Sequence, residues 1–205
     1  MCASRLAPAA LPALLLALLL ALPLAGCAAQ PHTFAAPRPD GARKSLRVAV
    51  LPFRNNTTAP EAGRIVTGAF IAALTKAGGY KVEFPGNVHN FLIRERIIVR
   101  NGADLKTMGL MAERLGVDVV VMGQIEEYAG SEDIRRATTP VVHICARMAD
   151  ARTGRILFMG RHGRSGDDYR TVLDLGAVHS VAQLSQRVVE ELIAEMPRDA
   201  EGRAQ

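Results

Sequence analysis

The chain has 205 residues, 49% of them hydrophobic and only 4% aromatic, with no Trp and a formal net charge of +5. That is enough apolar material for one well-buried domain, and three cysteines are too few for a disulfide-built scaffold. The charges are dispersed and stacking aromatics scarce, which excludes the basic, aromatic-studded surface of a nucleic-acid binder.

Residues 6–25 carry no charge and follow a single Arg5. A run of about 20 apolar residues can cross a bilayer. Pro8, Pro12 and Pro23 interrupt this one, however, and its Leu-rich heart covers only residues 14–22. A basic residue, an apolar stretch and small residues at a cut site form the layout of a secretory signal peptide. The segment closes on Leu24-Ala25-Gly26-Cys27, which resembles the bacterial lipobox. The resemblance implies that residues 1–26 are removed and that Cys27 is diacylated as the first mature residue. Ala28, where Asp would retain the protein at the inner membrane, implies a periplasm-facing outer-membrane lipoprotein. An uncleaved anchor or plain secretion are the alternatives.

Removal of residues 1–26 also takes Cys2, so Cys145 would be the one thiol left in the body and no intramolecular disulfide could form. Residues 28–45 hold Pro31, Pro37 and Pro39 among Ala, Arg and Gly without a period, and read as a flexible linker. The folded domain is expected from 46 to 196, with a disordered tail at 197–205.

The run "LRVAVLPF" starts the domain as a mostly buried strand. "RNNTTAP" is a turn, and Pro60 suits the first turn of a helix that ends at Gly78-Gly79. "YKVEF", residues 80–84, alternates as a strand, and a short helix is expected over 88–96. Asp104 is placed to cap a helix whose Leu105, Met108, Met111, Ala112 and Leu115 face inward. Residues 116–128 form a long strand, apolar at first and then alternating. Residues 140–149 and 155–162 form a hairpin across "DARTGR". A final amphipathic helix, about 178–196, uses Val181, Leu184, Val188 and Leu192. The order implies a single α/β or α+β domain, one mixed sheet of about five strands flanked by helices.

Reactive signatures are sparse. Neither GxxxxGK[ST] nor GxGxxG follows the first strand, and "HGRSGDD" lacks the second Gly of a nucleophile elbow. Alternation should send Glu126 and Glu127 to opposite faces of their strand. If Asp150 pairs with Arg155, His143 falls opposite His162, but a zinc site needs three or four ligands and no third is near. The two imidazoles therefore read as surface residues on the polar side of the sheet, beside Arg147 and Arg161. Neither catalytic residues nor a metal or other cofactor is expected, and Cys145 reads as a small core hydrophobe.

Four segments carry a family resemblance. They are "VAVLPFRNNT", "GGYKVEFPGNVHNFLIRERII", "AERLGVDVVVMGQIEEY" and "ARMADARTGRILF". Together they resemble the periplasmic lipoprotein superfamily that includes CsgG, LpoB and the N-terminal domain of TolB. The resemblance implies a non-enzymatic protein that binds envelope partners or forms a homo-oligomer; as an alternative, it could be a subunit of a CsgG-like secretion complex. Residues 129–139 and 160–176 are too short and too charged to supply the paired amphipathic strands of a pore. The partner surface is expected at strand ends and loops, with Asn55, Asn56, Arg135, Arg136, Arg161 and Arg164 as candidates.

Overall fold

The computed structural model describes residues 31–35, 45–99, 102–130, 138–171 and 175–197. Seven strands share one mixed sheet: β1 (His32–Ala35), β2 (Leu46–Val50), β3 (Arg54–Asn55), β4 (Tyr80–Val82), β5 (Val119–Ala129), β6 (Val141–Asp150) and β7 (Ile156–Ser165). Four helices of the described residues pack on it: α1 (Ala62–Ala77), α2 (Pro85–Arg94), α3 (Leu105–Leu115) and α4 (Val181–Ala194). The strand order is β1-β7-β6-β5-β2-β4, with β3 beside β5. β2 runs parallel to β4 and β5, whereas β5, β6, β7 and β1 form an antiparallel succession.

The apolar runs explain the centre. Val48 to Leu51 and Val119 to Met122 are buried on both faces of the sheet, as expected for strands sandwiched between helices. One face packs Val50, Val121, Ile144 and Phe158 against Val66, Phe70, Leu184 and Leu192 of α1 and α4. The other packs Ala49, Leu51, Val120 and Met122 against Leu92, Met108 and Met111 of α2 and α3. Beyond Met122 the inward side chains of this second face turn polar, because no described helix covers it there.

Local signals set the helix ends. Gly78 and Gly79 both adopt positive φ and stop α1. Pro85 occupies the first turn of α2, which starts three residues before the expected position. Asp104 caps α3, its Oδ1 accepting from the Thr107 N–H at 2.8 Å. Asp104→Ala should lower the urea midpoint with an unchanged slope, because it removes the N-cap acceptor of α3. Leu105, expected inward, is exposed at the first position of α3, its side chain beside the hairpin turn at Gly154.

Three further expectations change. The stretch read as a flexible linker contains β1, which pairs with β7 from His32↔Arg161 to Ala35↔Phe158. Asp150 does pair with Arg155, its N–H bonding the Arg155 carbonyl at 2.9 Å. A bulge at Met148/Ala149 then slips the register by one, so His143 lies opposite Gly163 and His162 opposite Ile144. The two histidines therefore occupy different faces. His162 is not a surface residue at all: it is 3% exposed, under α4. A second bulge, between Ile125 and Glu127, removes the alternation expected of the two glutamates.

Candidate functional site

The uncovered part of the sheet is built by the far halves of β5, β6 and β7, with β1 as its border. Residues directly opposite across an antiparallel pair share a face, so Phe34 with Met159, and His32 with Arg161, stand together on this side. Phe34 is 57% exposed and Met159 49%. Between β1 and the strand centres lies a cleft of about 640 Å³, within the ~300–1,000 Å³ typical of ligand sites. Met122 and Cys145 line its apolar part along with Phe34 and Met159, and Arg54, Arg147, Arg161 and Gln124 supply polar groups.

A charged belt borders the cleft. Because of the second bulge, both glutamates reach the same face. Glu126 ion-pairs with Arg161 and accepts from the Cys145 thiol at 3.2 Å. Glu127 Oε2 lies 3.0 Å from His143 Nδ1. The His143 ring lies across position 163, where only glycine leaves room for it. Burial alone would raise the Glu126 carboxyl, but the Cys145 and Arg161 hydrogen bonds and the Arg161 charge hold it below its ordinary value. Burial, reinforced by Glu126, pushes the Cys145 thiol up to about 11, so it stays protonated and weakly nucleophilic. A carboxylate held ionised is poorly suited to act as a general acid. Among the described residues, no three His, Cys, Asp or Glu side chains gather as a metal site.

The residues singled out as partner-binding candidates fall into separate places. Asn55 closes a turn, its Oδ1 accepting from the Thr57 N–H and hydroxyl at 3.0 and 2.7 Å. The Asn56 N–H bonds the Ile125 carbonyl at 3.1 Å, and its side chain is exposed. Arg161 stands on the open face, while Arg164 points to the covered face and is mostly buried. Arg135, Arg136 and Cys27 lie outside the described residues.

Sequence reading missed the network that holds Arg164. Glu191 of α4 meets His162 Nε2, accepts from Arg164 Nε at 2.8 Å and accepts from the Tyr169 hydroxyl at 2.7 Å. The Arg187 guanidinium sits 4.6 Å above the Tyr169 ring. Burial by itself would raise the Glu191 carboxyl; the His162, Tyr169 and Arg164 hydrogen bonds overcome it and lower the value. The signal was present: Glu191 falls within the apolar stripe of α4, seven residues after Leu184 and three after Val188.

No family model matches the chain, and no curated protein does. Solved structures do resemble it. PelC from Paraburkholderia phytofirmans, solved as a dodecamer, is 15% identical with a TM-score of 0.56, covering 81% of this chain and 97% of that one. The fold is shared with PelC. Lipoprotein GNA1162 from Neisseria meningitidis is 21% identical, covering 74% and 99%, at a TM-score of 0.48. The LpoB C-terminal domain from Salmonella enterica is 13% identical, covering 61% and 86%, at 0.42.

Proposed function

We propose that the chain is a lipoprotein anchored through Cys27 to the periplasmic face of the outer membrane, where it binds protein partners of a cell-envelope assembly and catalyses no reaction. The observation that carries this reading is the charged belt. Glu126 is matched to Arg161 and Glu127 to His143 on an uncovered sheet face, and the neighbouring thiol is held protonated. Such a surface offers shape and charge to a partner, which favours selectivity and association rate. Asn56 and Arg161 border it; Arg164, held by Glu191, is no longer a candidate for contact.

A second reading is supported by the PelC structures, which are dodecamers. In it the partner is another copy of this chain, and the ring serves a secretion or transport complex whose pore other subunits supply. One experiment addresses both. A photo-crosslinking amino acid at Asn56 or Arg161 should give adducts in cells, while the same probe at Lys76, on the far side of α1, should give none. Adduct masses at multiples of the chain's own mass support the ring, and other masses support a foreign partner. Equal adduct formation at all three positions, or at none, sinks the partner surface.

A further inference from the structure

The N-terminus returns to the sheet sooner than its composition suggests. Cys27 is separated from β1 only by residues 28–31. Five Cα steps at no more than about 3.6 Å each keep the Cys27 Cα within roughly 18 Å of the His32 Cα, and His32 itself lines the cleft. The proposed anchor therefore does not hold the domain at a distance. It brings the β1/β7 border, and the cleft beside it, against the headgroup region.

That border has the chemistry of a membrane contact. Phe34 and Met159, paired across β1 and β7, together form an exposed apolar pair at the edge of the sheet. Met122 continues the apolar surface inward. Three guanidinium groups line the same cleft, from Arg54, Arg147 and Arg161, and the Glu126 carboxylate pairs with the last of them. The Arg161 side chain is 64% exposed, and a guanidinium carries five N–H donors, so pairing with one carboxylate leaves others for a second anion. Arginine also matches phosphate by paired hydrogen bonds.

We propose that the cleft takes a phospholipid of the leaflet that holds the anchor. An acyl chain lies against Phe34, Met159 and Met122, and the headgroup phosphate meets the arginines led by Arg161. The inference rests on the lipid-anchor reading, because the short spacing from Cys27 is what selects lipid over other amphiphilic anions.

The absence of Trp from the chain makes the test direct. The full protein carrying Phe34→Trp is reconstituted in phosphatidylglycerol vesicles with brominated acyl chains. Its emission should shift to the blue and be quenched by bromine. Phe84→Trp, a 71%-exposed position beside α2, should remain unquenched. Adding Arg161→Gln to Phe34→Trp should raise the lipid concentration for half-maximal quenching about fivefold, the factor expected for one basic residue at an anionic surface. The mass of the purified protein reads acylation of Cys27 separately. An acylated protein whose residue-34 probe behaves like the residue-84 probe overturns the cleft and leaves the anchor standing. An unacylated protein removes the anchor, and the cleft then survives only if the residue-34 probe is still quenched by added vesicles. A blue shift without bromine quenching places a second copy of the chain there and also overturns the proposal.

Discussion

Cys27→Ser is expected to move the protein from the membrane pellet to the soluble fraction at high salt, with the domain still folded. Each buried methylene of an acyl chain contributes about 0.8 kcal/mol, and two chains hold a protein stably where one would be marginal. Nothing in the core depends on residue 27: the two apolar clusters draw on residues 46–196. A circular dichroism melt of the soluble variant should match that of the parent domain. Residual binding at low salt that disappears at high salt would come from the arginine-lined cleft, since exposed charges are screened over about a Debye length. Retention in the pellet at low and high salt alike would instead mean that residues 6–25 remain as an uncleaved span.

The largest loss of stability is expected from Glu191→Gln. The substitution leaves His162 and Arg164 beneath α4 without the carboxylate that joins them. Removing one partner of a buried ion pair costs about 3–5 kcal/mol. Glu191 retains some contact with solvent, so about 2–4 kcal/mol is the expected loss by urea unfolding at neutral pH. The sign with pH follows from the lowered Glu191 value. Such a carboxylate stabilises the fold above its unfolded value, ordinarily about 4.3, and the contribution disappears as pH falls through the folded value. The stability gap between parent and variant should therefore be full at pH 7, begin to narrow near the unfolded value and close once pH has fallen through the lowered folded value. A gap that persists unchanged in acid would mean that the side chain acts by packing and not by charge.

The parts of the fold that could be read from sequence were those whose burial leaves a pattern. Val48 to Leu51 and Val119 to Met122 are buried on both faces and appear as unbroken apolar runs; α1 and α4 are buried on one side and appear as stripes. β1 leaves no such trace. All four of its residues are exposed, so its main-chain ladder with β7 holds it without any requirement on side-chain type. The bulges were equally silent. Each inserts one residue into a ladder, and no residue type near Ala149 or Glu126 demands it, yet one slip separated His143 from His162 and the other brought Glu126 and Glu127 to one face. The Glu191 network was obscured for a different reason: His162 and Arg164 are polar residues beneath a helix, where hydropathy alone assigns them to the surface.

The pairing of β1 with β7 would give the proposed Cys27 anchor two distinct reaches. A short, exposed edge strand opens at lower free energy than the central strands, and its opening leaves both apolar clusters intact. While β1 is docked, residues 28–31 are all that separates Cys27 from it in the sequence. With β1 undone the separation becomes residues 28–45, a length that drawn straight reaches at most about 60 Å. Under the proposed anchoring, the strand that holds the body close to the membrane would also be a release catch: undoing four residue pairs would let the domain move outward without cutting the anchor or unfolding the core.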